Sequence, residues 1–365
     1  MPEIEAVEVA VYTVPLAEPE SDGTLTWSAT TVVVARPRAG GRTGLGFTYA
    51  TPACGRLIED LLEPAVRGRD ALDVAGAWGA MVRAIRNMGR PGISSMAVAA
   101  VDIGLHDLKA KLLGVPLVEL LGGYRGGAPV YGSGGFTSLS NPQLQDQLRS
   151  WTQGPGIPRV KIKVGEAWGG CPARDLERAR LARETVGDAV ELFVDANGGY
   201  QLKQALGMAR AYQDLGVTWF EEPVSSDHLQ ALAAIRANTE LEITAGEYGY
   251  DLFYFERMCS AGAVDCLQAD VSRCAGISEW LRVAALAEAH GLELSGHCAP
   301  NLHLHPACAV PNLRHLEYFQ DHVLADRALF EGVQEPKQGI LEPDLGRPGL
   351  GLELKPEAER YRVRI

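Results

Sequence analysis

Three carboxylates in the second half of the chain recur at an even spacing. Asp195, Glu221 and Glu247 lie 26 residues apart in each case, and each closes a short apolar run. Three carboxylates on neighbouring elements repel one another strongly unless a cation lies between them. An all-oxygen ligand set suits a hard divalent ion, and Mg²⁺ keeps positions open for water or substrate oxygens. The spacing therefore predicts a magnesium site, with one ion per subunit.

Two lysines stand upstream of these acids in the run Lys161-Ile-Lys163. On a strand, residues i and i+2 share a face, so both ammonium groups point the same way. Adjacent cations disfavour each other's charged form, which predicts a lowered pKa for one lysine, in the range of a general base. The other lysine is then free to bind a substrate carboxylate. The alternative is a surface strand with two solvated lysines, and the short motif by itself does not choose between them.

Further polar residues stand at the ends of later apolar runs. Asp270 and His297 come from successive runs, and an Asp that accepts a bond from an imidazole fixes its tautomer and raises its basicity. Glu317, if protonated, would donate a hydrogen bond to a substrate carboxylate oxygen. Each residue alone is equally typical of a packed histidine or a solvated acid. The recurrence of polar residues at seven consecutive run ends favours a common site. The His303/His305 pair lacks a matching ligand set, so we interpret it as structural.

The elements that must position these residues are short apolar runs that alternate with amphipathic helical stretches. Strands separated by helices pair in parallel, and eight such units close into a (β/α)8 barrel whose carboxyl strand ends share one rim. The sequence predicts eight of these strands, at residues 129–133, 159–164, 190–195, 217–221, 241–245, 264–269, 292–296 and 315–319.

The first 120 or so residues have a different pattern. Residues 5–12 and 31–36 alternate as strands do, with a polar, turn-rich loop predicted between Pro15 and Ser28, and a helical period follows from about Leu57 to Gly114. One helix there is expected to begin with a serine cap. We therefore predict an α+β capping domain over residues 1–124, joined by the tail 340–365, and a barrel domain over residues 125–339.

Composition excludes several classes of protein. Apolar residues make up 46% and charged residues 22% of the 365 residues, which is ordinary for a globular chain. The net charge of −12 disfavours a nucleic-acid partner. Seven scattered cysteines are typical of a reducing, cytoplasmic location. The start of the chain has no secretory signal pattern, and no run is apolar and long enough to predict a membrane span.

The motifs KIK, DAN, FEEP, AGE, the D…H pair and a late Glu, in this order, resemble the mandelate racemase subgroup of the enolase superfamily. The resemblance extends over nearly the whole chain. It implies a modified (β/α)8 barrel with an N-terminal α+β capping domain and one Mg²⁺ per subunit. It also implies Asp195, Glu221 and Glu247 as metal ligands, with Glu222 behind them.

The same resemblance implies roles for the other residues. Lys163 and the His297–Asp270 pair would be the two acid/base groups, and Lys161 would lower the pKa of Lys163 and touch the substrate carboxylate. In addition, Asn197 would contact the substrate or the metal surroundings, Glu317 would bind the enediolate oxygen, and Trp27 and Tyr49 of the capping domain would cover the substrate.

These roles define abstraction of an α-proton from a carboxylate through an enediolate. We favour dehydration of an acid sugar to a 2-keto-3-deoxy acid, because the covering loop is polar and acidic. The alternatives are a racemase or epimerase of a 2-hydroxy acid and a non-catalytic binding relative. A metal hydrolase would need a histidine-rich ligand set that the sequence lacks. The expected partners are a small carboxylate and further copies of the chain, from dimer to octamer, with no nucleic acid and no membrane.

Overall fold

The computed structural model describes residues 1–364 of the chain. Its N-terminal part contains four strands and five helices, with a turn of π-helix at Ile58–Leu62 between the first two helices. The strands are β1 (Ala6–Ser21), β2 (Thr26–Ala39), β3 (Arg42–Thr43) and β4 (Gly46–Tyr49), and the helices are α1 (Pro52–Leu57), α2 (Glu63–Val66), α3 (Val74–Ala84), α4 (Ile93–Leu113) and α5 (Leu117–Leu121).

The barrel strands follow at the predicted positions. They are β5 (Ala128–Gly134), β6 (Arg159–Lys163), β7 (Glu191–Asp195), β8 (Val217–Glu221), β9 (Glu242–Ala245), β10 (Cys266–Ala269), β11 (Glu293–Gly296) and β12 (Leu313–Phe319). Each pairs in parallel with the next, and β12 pairs with β5, so the sheet is closed. This confirms the predicted fold class, a modified TIM barrel with an N-terminal α+β unit.

Helices connect the barrel strands, and short strands form the tail. The helices are α6 (Asn141–Gln153), α7 (Glu166–Gly169), α8 (Pro172–Val186), α9 (Leu202–Gln213), α10 (Leu229–Arg236), α11 (Leu252–Ser260), α12 (Ile277–Ala289), α13 (Pro300–Ala307) and α14 (Gln320–Leu329). The tail strands are β13 (Phe330–Glu331), β14 (Ile340–Leu341), β15 (Glu353–Leu354) and β16 (Arg362–Val363), with a turn of 3₁₀ helix at Pro356–Tyr361. No helix within residues 1–364 is long and apolar enough to cross a membrane.

Alternation along each barrel strand separates packing from chemistry. In β6, Val160 and Ile162 belong to the main hydrophobic core, whereas Lys161 and Lys163 occupy the alternate positions. Both kinds of residue are buried, as expected for a parallel strand covered on both faces. Tyr131, Phe193, Trp219 and Cys266 form a separate buried cluster contributed by four barrel strands.

The register of the sheet brings the strand ends to one level. Lys163 pairs with Asp195 across β6 and β7, and Asp195 pairs with Glu221 across β7 and β8. These three side chains therefore lie side by side, because the carboxyl ends of parallel barrel strands share one rim.

The N-terminal sheet is a long hairpin that packs over this rim. β1 and β2 pair antiparallel, β4 adds to β2, and β16 from the tail pairs with β1. The predicted loop 15–28 was too long, because β1 and β2 extend into it and leave a turn of residues 22–25 only. The alternation of apolar and polar residues in β1 and β2 stops before the backbone pairing of the two strands stops. The division at residue 124 stays a prediction, and the tail contacts both parts, since β14 pairs with β5.

Aromatic and polar contacts fix the sheet to the barrel. Phe47 stacks on Phe330 at a centroid distance of 4.5 Å, and Tyr49 stacks on His322. Thr48 Oγ1 donates to the carbonyl of Ser272 at 2.7 Å. Because β4 carries all three donor or stacking residues, this strand is the element that holds the capping sheet against the strand ends.

Candidate active site

The three evenly spaced carboxylates converge inside the barrel mouth. One oxygen each of Asp195, Glu221 and Glu247 lies within 4.8 Å of the others, and all three side chains are buried. Oε2 of Glu247 accepts no hydrogen bond from the part of the chain that the structure describes. A buried, unsatisfied carboxylate oxygen is costly. The donor set is all oxygen and its atoms are close enough to share one ion, so these residues fit a hard divalent cation such as Mg²⁺.

Glu247 reaches this position because of the glycine before it. Gly246 has φ of +140°, and a Cβ there would lie 1.9 Å from the carbonyl oxygen of Gln268. Any other residue would push β9 away from β10 at this point. The AGE motif therefore encodes a close approach of two strands, after which Glu247 turns toward the other two acids.

The two lysines lie among these acids. Lys163 Nζ is 2.5 Å from Asp195 Oδ2, and Lys161 Nζ is 2.5 Å from Glu221 Oε1 and 2.8 Å from Glu317 Oε1. Both side chains are buried. The structure thus places the lysine pair inside the site, and not on a solvated surface strand.

The expected lowering of the Lys163 pKa is wrong for this arrangement. Burial lowers the pKa of Lys163, and so does Lys161, but Asp195, Glu317 and Glu247 raise it and the net shift is upward. The pKa of Lys161 is likewise held well above its usual value, because Glu221, Glu317 and Asp195 outweigh burial. The neighbouring acids decide the charge state of both lysines, and a residue pattern cannot show those distances.

His297 and Asp270 form the predicted pair. Nδ1 of His297 lies 2.9 Å from Asp270 Oδ2, while Nε2 lies 3.4 Å from Glu247 Oε2 and faces the cavity. Burial lowers the pKa of His297, but Glu247 and the Asp270 hydrogen bond raise it more, despite opposition from Arg273. The carboxylate partner leaves Nε2 as the nitrogen that exchanges protons.

The surroundings of Glu317 favour its charged form over the protonated donor considered from the sequence. Burial raises the pKa of Glu317, but Lys161 and His297 lower it and the net shift is strongly downward. Ser133 Oγ donates to Oε1 at 2.6 Å, and the Cys298 backbone N–H donates to Oε2 at 2.9 Å. Glu317 therefore accepts hydrogen bonds here, and any proton that it donates must first be taken up.

One residue within two positions after Asp195, and another directly after Glu221, adopt strained backbones. Asn197 has φ of +45° and donates its backbone N–H to Asp195 Oδ1 at 2.9 Å. Glu222 has φ of +37° and is buried, and burial together with Glu247 holds its pKa well above the usual value. Asn197 lines the cavity, and together with Glu222 and Tyr254 it also lines a neighbouring pocket.

A cavity of about 390 Å³ opens over these groups, and the capping sheet forms part of its wall. Trp27 and Tyr49 both line it, as predicted. The sequence analysis missed several other lining residues, namely Asp22, Thr30, Arg273, Cys298, Asp321 and His322. Asp321 lies two residues beyond the predicted eighth strand, and Arg273 lies three residues after Asp270. Their positions close to strand ends were the sequence feature that could have identified them as lining residues. A larger cleft of about 630 Å³, between β1 and the tail, contains none of the predicted site residues.

His303 and His305 are structural, in agreement with the interpretation from the sequence. His303 Nε2 accepts the backbone N–H of Val271 at 2.9 Å, and His305 Nδ1 accepts that of Val118 at 3.1 Å. Both rings are buried in α13. Their ring nitrogens are engaged by backbone groups and are therefore not available as metal ligands.

A closed parallel barrel with acids between two basic groups is typical of metal-assisted proton transfer. The chain belongs to the mandelate racemase/muconate lactonizing enzyme family of the enolase superfamily. The enolase C-terminal domain-like profile matches residues 143–358, and the mandelate racemase/muconate lactonizing enzyme N-terminal domain profile matches residues 5–122.

Three relatives illustrate the range of the family. A mandelate racemase/muconate lactonizing enzyme-like protein from Rubrobacter xylanophilus has 49% identity, with a TM-score of 0.96 over 99% of this chain and 100% of that one. L-talarate/galactarate dehydratase from Salmonella typhimurium is 32% identical over 98% of this chain and 90% of its own. A racemase from Streptomyces coelicolor with bound magnesium has 30% identity, with a TM-score of 0.92 over 99% of this chain and 100% of that one.

Proposed function

We propose that the protein is a Mg²⁺-dependent dehydratase of an acid sugar, an aldonate or aldarate. Asp195, Glu221 and Glu247 would hold the ion, which when bound supplies Lewis-acid stabilisation of negative charge on the substrate carboxylate. The chemistry is supported by basic groups on two walls of one cavity, Lys163 from β6 and His297 after β11.

Each of these groups serves one face of the substrate. One takes the proton from the α-carbon, and the other donates a proton to the β-hydroxyl as it leaves as water. The configuration at the α-carbon decides which group is the base. The resulting enol becomes the 2-keto-3-deoxy acid by taking a proton at the β-carbon. Lys161 offers an ammonium to the substrate carboxylate, and Ser133 and the Cys298 N–H keep Glu317 in place beside it.

A polyhydroxy substrate is supported by the far wall of the cavity. Asp321 is buried there and accepts hydrogen bonds from Trp27 Nε1 at 3.1 Å and Thr30 Oγ1 at 3.2 Å. Both bonds go to Oδ2, and within residues 1–364 Oδ1 accepts no hydrogen bond. A buried acceptor that lacks a donor fits a substrate hydroxyl better than a phenyl ring. This oxygen is the observation that carries the proposal of an acid sugar.

The racemase alternative uses the same acid/base groups, and magnesium-binding racemases are among the relatives. If the substrate lacks a β-leaving group, protonation from the opposite face inverts the carbon. We propose further that the protein works as a homo-oligomer in the cytoplasm on a small carboxylate. Light scattering of the purified chain measures the oligomeric state.

The test is a panel of aldonates and aldarates incubated with the protein and Mg²⁺ in deuterium oxide. Formation of a 2-keto acid from at least one member supports dehydration. If deuterium enters the α-carbon but no keto acid forms, the reaction is racemisation and not dehydration. If no acid gives either product, the protein is a binding relative without catalytic activity. His297→Asn and Lys163→Ala, each run on the active acid, should lower the rate of keto-acid formation about 10²–10⁴-fold. Lys203→Met, on the exposed face of α9, should leave it unchanged.

A further inference from the structure

Cys298 follows His297 directly, and its side chain lines the cavity although the proposed reaction does not use the thiol. Three donor atoms of different chemistry meet at this point. Cys298 Sγ lies 3.3 Å from His297 Nε2 and 3.5 Å from Glu317 Oε2, and those two atoms lie 3.8 Å apart. All three side chains are buried. Nitrogen, sulfur and oxygen ligands converge, whereas the neighbouring acid set offers oxygen alone.

The spacing of these atoms fits a tetrahedral ion. Zinc binds nitrogen and oxygen at about 2.0–2.2 Å and thiolate sulfur at about 2.3 Å, which separates neighbouring ligand atoms by about 3.4–3.6 Å. The observed separations of 3.3, 3.5 and 3.8 Å bracket that range. The side chains need to move by only a few tenths of an ångström. A fourth position would face the open cavity.

The imidazole is already oriented as a ligand. Asp270 lies 2.9 Å from Nδ1 of His297, which leaves the Nε2 lone pair toward the thiol. A carboxylate that holds a histidine in this way is the usual outer support of a zinc ligand. Glu317 is fixed too, because the Cys298 backbone N–H donates to its Oε2. The site is therefore preorganised on three elements: the ends of β10 and β11, and β12.

We propose that His297, Cys298 and Glu317 form a second metal site, which takes a thiophilic ion such as Zn²⁺ or Cd²⁺ and inhibits the enzyme when it is filled. The ion occupies the Nε2 lone pair that His297 needs for proton transfer. The thiol loses one proton to solvent as the metal–sulfur bond forms. Inhibition rests on the proposed function of His297, but binding does not.

The test is a titration with Cd²⁺ at saturating Mg²⁺, followed by the ultraviolet charge-transfer absorption of a cadmium thiolate. The wild type should bind one equivalent per chain, and Cys298→Ser and Cys298→Ala should lose the band. Cys171→Ser is the matched control, because Cys171 is a partly exposed thiol away from the cavity, and it should keep the band. His297→Asn, which retains the thiol, should weaken Cd²⁺ binding at least about tenfold.

Zn²⁺ inhibition of keto-acid formation provides the functional arm. The Zn²⁺ concentration that halves the rate should rise at least about tenfold in Cys298→Ser relative to wild type. No band in the wild type, an undiminished band in both Cys298 variants, or a band unaffected by His297→Asn would each overturn the site. If no acid sugar reacts, the proposed function fails, while the absorption titration still decides the metal site.

Discussion

Replacement of Lys161 by methionine tests whether the site is held together by charge. The Nζ atom is fully buried and lies 2.5 Å from Glu221, 2.8 Å from Glu317 and 3.5 Å from Asp195. Lys163 contacts Asp195, so that acid keeps a cation in the variant. Among the described residues, Glu221 and Glu317 then have no lysine or arginine within 4 Å. Methionine fills the space of the lysine stem, so the charge is the main loss.

Removal of one partner from a buried ion pair costs about 3–5 kcal/mol, because the other charge is left without compensation. We expect Lys161→Met to lower the free energy of unfolding at pH 8, in the absence of metal, by that amount. The control is Lys203→Met on the exposed face of α9, for which we expect a change below about 0.5 kcal/mol.

The pH dependence separates lost charge from lost packing. In the wild type, Lys161 holds the pKa of Glu317 well below 4.5 against the effect of burial, so this acid adds stability above its unfolded pKa. Without Lys161, His297 and Lys163 still lower the pKa of Glu317, but burial is opposed less strongly, so this acid loses part of the stability that it adds. Because the wild-type contribution is lost only as the pH falls through the depressed folded pKa, the deficit of the variant should be full at pH 8 and shrink only below about pH 4.5.

Guanidinium unfolding followed by tryptophan fluorescence measures the effect, since Trp219 Nε1 donates to Glu221 within the same cluster. A deficit that does not shrink as the pH falls well below 4.5 would show that methionine merely packs poorly. A deficit below about 1 kcal/mol at pH 8 would refute the reasoning, because the acids would then need no ammonium.

Three other changes have definite expected outcomes. His297→Asn should lower the turnover rate about 10²–10⁴-fold, while Mg²⁺ affinity measured by calorimetry stays within a factor of three; a variant with wild-type rates contradicts the role. Removal of metal with EDTA should abolish keto-acid formation. Addition of Mg²⁺ at about a hundred times its dissociation constant should restore activity and raise the free energy of unfolding by about 2.7 kcal/mol. Activity that survives EDTA argues against a role for the metal. Asp102→Asn should stabilise the protein at pH 8 by up to about 4 kcal/mol, but not at pH 4. The reason is that burial raises the pKa of Asp102 from 3.8 to about 7, so ionisation of this acid costs stability as the pH rises between those values. The asparagine oxygen can still accept from the Ser278 hydroxyl, but the asparagine amide replaces the oxygen that accepts the Ser278 backbone N–H, which reduces the gain at both pH values. A gain that is equal at both pH values in denaturant melts would disprove the argument.

The barrel was predictable because each strand carries a strong local signal. Buried parallel strands are short apolar runs, and all eight predicted runs overlap the observed strands. The rim rule then placed Asp195, Glu221, Glu247 and His297 together without knowledge of any distance. Ends of elements were less predictable, since α4 begins at Ile93 after Gly92 without a side-chain cap, where a serine cap was expected.

Protonation was not predictable from residue types. The 2.5 Å contact with Asp195 raises the pKa of Lys163, and Lys161, 2.8 Å from Glu317, lowers the pKa of that acid. Such contacts form between strands far apart in the chain. For the same reason Asp321 was missed, because its importance comes from Thr30 and Trp27 in the capping sheet.

The turns after the catalytic strand ends show how the fold sustains this density of charge. Asn197, Glu222 and Cys298 each follow β7, β8 or β11 within two residues and have φ of +45°, +37° and +48°. Non-glycine residues in this region cost about 1–3 kcal/mol each. In return, two of the turns aim a backbone N–H at a buried acid, Asp195 or Glu317, at 2.9 Å. Hydrogen bonds to a carboxylate favour its charged form. The strained turns therefore keep backbone N–H dipoles directed at the acids, and side chains alone could not hold such dipoles in place.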